Sequence, residues 1–282
     1  MISAARERDL DVGIYPQPNF PSSAGEWWQN GTRDFTWWLV WFEQYRNFIL
    51  HHADMASRSD AQALILGGDW VTPALPGGTL ADGSPSGVPA DTEVRWRNMI
   101  NDVRQRYDGQ IWWAMPFSQA VAGTPAFLDA VDGVYLQFNE PLASRNDPTQ
   151  PELEAEAARL LDTAILPLKM RLNKPVIIAP MYTSIDGGAT ACIPSPEGGC
   201  LPAEALEQPN PDYPAIPLDF QEQVDIYNAL LAVVNQRSWV DGFIARGYYA
   251  PAVLQDKSAS VNGKPVQSIL EYYFPRMSGE LP

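Results

Sequence analysis

Residues 63–70, Ala-Leu-Ile-Leu-Gly-Gly-Asp-Trp, constrain this chain more than any other stretch. An apolar run without alternation reads as a strand covered on both faces, the pattern of parallel sheets wrapped by helices. The run ends in an acid beside an indole, Asp69 and Trp70. The segment around Arg95-Trp96-Arg97-Asn98-Met99-Ile100 has the spacing of an amphipathic helix, and it leads to a second buried run, Gln110-Ile-Trp-Trp-Ala-Met115, that also ends in aromatics. An ionisable group and flat rings of sugar size thus fall on one rim of a parallel β/α structure, where such folds keep their active sites. A carbohydrate-active enzyme is the first expectation.

The same alternation runs along the whole chain. Strands are predicted at Asp11–Tyr15, Ala63–Gly67, Gln110–Met115, Gly133–Phe138, Pro175–Ala179 and Gly242–Arg246. Helices are predicted at Asp34–Ala56, Asp91–Tyr107, Pro125–Ala130, Pro151–Leu172, Asp219–Arg237 and Pro265–Phe274, with Asp34 and Asp219 where N-caps belong and Asp91 followed by Glu93, which favours the positive end of a helix. Pro-rich loops at 71–90 and 185–217 follow strands and therefore belong to the catalytic rim of a barrel. The expected class is α/β, a TIM-type (β/α)8 barrel forming a single domain over residues 1–282. A full barrel needs eight strands, and six are visible. Ala4-Ala5-Arg6-Glu7-Arg8 has helix-forming composition, so the expectation is a chain that begins partway round the barrel, without its first two βα units. A complete open α/β sheet is the competing architecture.

Composition narrows the function. A chain of 282 residues with 45% hydrophobic residues buries one large core, and no run of apolar residues reaches the length of a membrane span. The net charge of −15 argues against a nucleic-acid partner, which needs clustered Lys and Arg. A neutral carbohydrate fits, and the chain is expected to act as a monomer without a cofactor. Ten Trp are more than a core alone uses; most are assigned to packing and the remainder to stacking on sugar C–H faces. Cys192 and Cys200 share one turn-rich loop, which points to a stapling disulfide and an oxidising compartment, with two free thiols as the alternative. The only histidines are the adjacent His51 and His52 on a predicted helix, so no metal site is expected. Residues 1–10 lack the apolar core of a signal peptide, and an extracellular location implies a signal outside this chain. Asn30-Gly31-Thr32 fits an N-glycosylation acceptor, a low-specificity pattern.

Tyr45-Arg46-Asn47-Phe48 with Ala53-Asp54-Met55-Ala56 precedes the Gly-Gly-Asp-Trp strand, and Trp96 to Ile100 with Val103-Arg104-Gln105-Arg106-Tyr107-Asp108-Gly109 follows it. Lys174-Pro175-Val176-Ile177-Ile178, a helix with Gln223 and Tyr227, Trp239-Val240-Asp241-Gly242-Phe243 and Gly263-Lys264-Pro265 come next. In order and spacing these pieces resemble clan A glycoside hydrolases, most closely glycoside hydrolase family 113 and its relatives. The resemblance implies that Asp11–Tyr15 is barrel strand three, Ala63–Trp70 strand four, Lys174–Tyr182 strand seven and Trp239–Arg246 strand eight. In that clan a Glu ending strand four is the acid/base and a Glu ending strand seven the nucleophile. Here the strand-four position is Asp69, one methylene shorter. Strand seven ends Ala179-Pro180-Met181-Tyr182 with no carboxylate, so the nucleophile does not carry over and the paired-carboxylate retaining mechanism is in question.

Asp69 is the leading catalytic candidate, because burial beside Trp70 would raise its affinity for a proton; helix capping or a bond within the Gly-Gly turn is the bland alternative. Glu140, after Gln137-Phe138-Asn139, is the preferred second carboxylate, and its alternative is a solvated loop acid before Pro141. Asp186 could replace the missing nucleophile, although Asp-Gly-Gly is equally a plain turn. Arg246 could bind an acidic sugar or orient a carboxylate, or form a structural ion pair. Gln17, Asn19, Gln137 and Asn139 are amides suited to sugar hydroxyls, or to loop hydrogen bonds. Trp70, Trp113, Tyr182 and Tyr248 are the expected stacking platforms. A barrel that binds glycans without hydrolysing them is the second functional expectation.

Overall fold

Uninterrupted apolar runs dictate parallel pairing, and the computed structural model, which describes residues 2–8 and 10–279, places strands at all six expected positions. The chain divides into two compact units, residues 1–136 and 137–282. The first unit contains α1 (Ile2–Arg6), β1 (Gly13–Ile14), α2 (Ala24–Asn30), α3 (Phe35–Ser59), β2 (Ala63–Gly67), α4 (Thr92–Arg104), β3 (Gln110–Pro116) and α5 (Phe117–Ala122), and ends within β4 (Gly133–Phe138). Pairing is parallel, with Gly13 opposite Ala63 and Leu64 opposite Ile111. The short helix at Ile2–Arg6 agrees with the helical composition of its sequence.

α3 starts where Asp34 accepts the Trp37 N–H at 2.7 Å, the expected cap, and ends at Asp60 in the left-handed region. Trp38, Phe42, Tyr45, Ile49, Ala53 and Ala56 recur at helical spacing and are buried. Asp91 stands at the N-cap of α4, but its carboxylate makes no cap bond and takes two bonds of 2.8 Å from Arg95, one turn on, which hold it below its usual range. The guanidinium fork competes successfully with the backbone N–H groups.

The second unit contains α6 (Gln150–Leu160), α7 (Leu166–Leu172), β5 (Val176–Pro180), a small antiparallel ribbon of β6 (Ile193–Pro194) and β7 (Cys200–Leu201), α8 (Phe220–Val234), β8 (Gly242–Phe243) and α9 (Val266–Met277). The long helix expected at Pro151–Leu172 is interrupted by a π-helical turn at Leu161–Ile165. Pro167 is the reason: it has no N–H for the carbonyl of Thr163 and its ring crowds that carbonyl. β8 is shorter than expected, yet Ile244 N–H donates to Ile178 and Arg246 N–H to Pro180, both at 3.0 Å, so the ladder runs on to residue 246. Cys192 and Cys200 form a disulfide across the ribbon. Ile193 of the ribbon packs with Ile185, Leu206 and Ile216 in a small core of its own.

Lys264 is the most enclosed cation of this unit. Its ammonium donates to Ser184 Oγ at 2.7 Å and to the Ser258 carbonyl at 2.6 Å, and pairs with Asp256 at 3.3 Å. Both side chains of the pair are 3% exposed or less. The network ties the loop before α9 to the segment after β5. Among the described residues no helix is long and apolar enough to cross a membrane.

Burial lowers the Lys264 ammonium from 10.5 to about 8. Between those values the unfolded chain binds more protons than the folded one, so this group's contribution to stability rises as pH climbs from about 8 to 10.5. Lys264→Met is expected to cost about 3–5 kcal/mol near neutral pH by stranding Asp256, and the gap to the parent should widen across that window. Urea denaturation at several pH values measures both; a gap that stays constant would contradict the titration.

Candidate active site

Each unit carries its own share of the candidate residues. In the first, β2 ends at Gly67 and Gly68, whose φ angles are +80° and +122°. Neither position tolerates a side chain: a Cβ on Gly67 would lie 2.6 Å from the Trp113 ring, and one on Gly68 would lie 2.5 Å from the Tyr15 hydroxyl and 2.9 Å from Trp70 Nε1. The strand therefore turns sharply into a 3-10 helix, Asp69–Ala74. Two indoles pin that turn. Trp28 Nε1 donates to the Trp70 carbonyl at 2.7 Å, and Trp96 Nε1 to the Ala74 carbonyl at 2.9 Å.

Asp69 opens the turn and accepts the Trp70 N–H at 3.0 Å. Its side chain is exposed, so the water-excluding setting expected from the sequence is absent; the reversal at Gly68 lifts it off the buried strand. Trp70 is half-buried against Tyr45 and Phe20, with centroids 5.5 and 6.0 Å away. Trp113 must be removed from the sugar-binding candidates. It is fully buried, edge-on to Trp96 at 5.1 Å and to Phe127 at 4.8 Å, and offers no ring face to a ligand. Gln17 and Asn19 are exposed in the loop after β1.

In the second unit, Glu140 stands two residues past the end of β4, half-buried, and burial raises its carboxyl above the usual 4.5. It thus has the proton-holding character that the sequence assigned to Asp69. Tyr182 is 1% exposed and donates its hydroxyl to the Glu140 carbonyl at 2.6 Å. It is a prop beneath Glu140, not a stacking platform, and burial first and the nearby Glu140 charge second push its phenol well above the ordinary range. Tyr248, by contrast, is 65% exposed. Gln137 is buried in β4 and Asn139 half-buried beyond it.

Asp186 is held in a turn. Its Oδ1 accepts from Asn146 at 3.1 Å, and the turn after it is clamped by Glu222, which accepts the N–H groups of Gly187 at 2.6 Å and Ala189 at 2.9 Å. Glu222 is buried in the first turn of α8, and desolvation raises its carboxyl. Sequence reading missed it; the signal was a Glu three residues after the helix cap Asp219, near a Gly-Gly turn with N–H groups to satisfy. Arg246 pairs with Glu207 at 3.5 Å, the structural alternative allowed for it. Among the described residues no cluster of His, Cys, Asp or Glu could hold a metal ion.

A profile of Glycoside Hydrolase Family 113 matches residues 1–264. The chain belongs to this family. Its fold is that of a family 113 β-1,4-mannanase solved as a complex, with a TM-score of 0.69 at 21% identity over 96% of this chain and 76% of the other. It is also that of the family 113 β-mannanase from Alicyclobacillus acidocaldarius, with a TM-score of 0.64 at 18% identity over 98% and 76%. A β-D-glucuronidase from Dictyoglomus thermophilum follows at 0.55 and 13%, covering this whole chain and 42% of that one. A comparison with curated proteins gave no match. Against this family 113 background, β5 ends in Pro180, whose carbonyl accepts the Tyr227 hydroxyl at 3.3 Å. The strand end where the resemblance puts a nucleophile is filled by a residue without an acid.

The double-glycine turn yields a direct test. Gly68→Ala introduces a Cβ at positive φ, with strain of about 1–3 kcal/mol before any clash, so it should lower stability by at least that much and change Trp70 fluorescence. A fully stable variant with parental emission would show that the turn does not depend on glycine.

Proposed function

We propose that this chain is a glycoside hydrolase acting on a polysaccharide or oligosaccharide, with Asp69 in the general acid/base role. The carrying observation is Asp69 at the end of β2, on the turn that Gly67 and Gly68 require, in a chain of Glycoside Hydrolase Family 113. The βα repeats are read as consecutive units of a TIM-type barrel. β-1,4-Linked mannan is the first substrate class to test, because the solved family relatives are named as mannanases. Glu140 is proposed as a second catalytic carboxylate: its desolvated carboxyl keeps a proton to higher pH than an ordinary Glu, the property a general acid needs. Asp186 is a weaker candidate because its turn is already held by Asn146 and Glu222. Gln17, Asn19, Trp70, Asn139 and Tyr248 are proposed sugar contacts. An extracellular setting is supported by the Cys192–Cys200 disulfide.

A second reading, a barrel that binds glycans without cleaving them, is favoured by Pro180 at the nucleophile position. Release of reducing ends from β-1,4-mannan and a panel of other glycans separates the two. Hydrolysis is expected, falling about 10²–10⁴-fold in Asp69→Asn; an undiminished rate would remove Asp69 from the mechanism. Binding by calorimetry with no product would establish the silent barrel.

The pH profile tests Glu140. A required proton on this carboxyl makes activity fall as pH rises through its elevated pKa. Glu140→Gln should lower kcat and erase that limb, and an unchanged profile would free Glu140 of the role.

A further inference from the structure

The first unit contains a cavity of about 350 Å³ that shares only Trp70 with the proposed sugar contacts. Trp37, Trp41, Tyr45 and Phe48 line it from α3, at the i, i+4, i+8 and i+11 spacing that puts them on one helix face. Phe20, Trp27 and Trp70 complete the lining, with Phe20 5.2 Å from Trp27 and 6.0 Å from Trp70. Tyr45 closes the circuit, 5.5 Å from Trp70 and stacked on Trp41 at an interplanar angle of 4°. The other lining residues are Pro18, Val40 and Gln44. Among the described residues no charged side chain lines the cavity, in a chain with 34 acidic and 19 basic residues.

Two polar atoms on these rings are turned to the strand side. The Tyr45 hydroxyl accepts the Gly67 N–H at 3.4 Å, and Trp70 Nε1 is buried next to Gly68. That leaves the Gln44 amide and the indole N–H groups of Trp27, Trp37 and Trp41 as the polar groups of the lining. A hexose bears hydroxyls around its whole ring, and each one desolvated without a partner costs about 1–3 kcal/mol, so a sugar is a poor occupant. A free cation would find rings but no counter-charge. An apolar cavity of about 150 Å³ binds benzene, and this one has roughly twice that volume.

We propose that this cavity binds a neutral, flat aromatic group of one or two rings, with at most one polar substituent, which Gln44 receives. The site goes beyond the proposed hydrolysis and does not depend on Asp69. The group could be a free aromatic molecule or the aglycone of a glycoside; the shared chemistry is the same.

The test is calorimetric titration of the full chain with 2-naphthol. Binding is expected, and Val40→Trp should weaken it by at least about ten-fold. Val40 is 52% exposed, so an indole there fills the cavity without entering the core, and an unchanged melting curve confirms that the variant folds. Trp37→Ala, which removes one wall, should also weaken binding. A parallel titration with 2-naphthyl β-mannoside assigns the source: tighter binding than 2-naphthol supports an aglycone, and weaker binding a free aromatic. No binding of 2-naphthol, equal binding by Val40→Trp, or a preference for mannose or tetramethylammonium would each overturn the proposal. The readout needs no turnover, so a chain without glycosidase activity leaves the result intact.

Discussion

The close approach of backbone and rings at Gly67 and Gly68 is the constraint on which the first unit's candidate site depends. The buried strand reverses at Gly67 and Gly68, through backbone angles of +80° and +122° that side-chain-bearing residues rarely adopt, and Asp69 emerges exposed after them. The missing side chains leave space that Trp113, Tyr15 and Trp70 occupy. From that turn follow the 3-10 helix, its two indole anchors and the exposure of Asp69. One local geometry thus sets the catalytic candidate and one wall of the aromatic cavity together.

The second unit uses buried charge for the same purpose. Glu222 is desolvated, yet two backbone N–H groups satisfy its oxygens, and the turn after Asp186 is fixed by it. Lys264 does the corresponding work for the loop before α9. Such groups are costly to bury and costlier to leave unpaired, so each fixes one arrangement of its loop. Glu140 differs. Burial raises its carboxyl, so it holds a proton to higher pH than an ordinary Glu.

Much of the fold was legible because its elements are strongly patterned. β2 and β4 were read to the residue, and α3 and α8 were recognised by their caps and apolar stripes. α2 and α5 were missed because they are short, and the π turn before α7 because Pro167 acts on register more than on helix existence. The site was read less well. A strand buried on both faces gives no alternation to distinguish a core ring such as Trp113 from a rim ring. Tyr182 likewise points inward to support Glu140. The expected desolvation belongs to Glu140 and not to Asp69, since solvent exposure after a glycine reversal is a three-dimensional property. The disulfide was one of two readings that the close Cys192 and Cys200 pair in a turn-rich loop allowed, and the family follows from the resemblance of ordered residue pieces, which the profile over residues 1–264 bears out.

An acid/base Asp69 must meet a glycosidic bond. The most direct measurement is a crystal structure of the Asp69→Asn chain soaked with a β-1,4-mannooligosaccharide. A glycosidic oxygen is expected within about 2.6–3.2 Å of the residue-69 side chain, directly or through one water. An oligosaccharide bound elsewhere, with residue 69 facing open solvent, would contradict it.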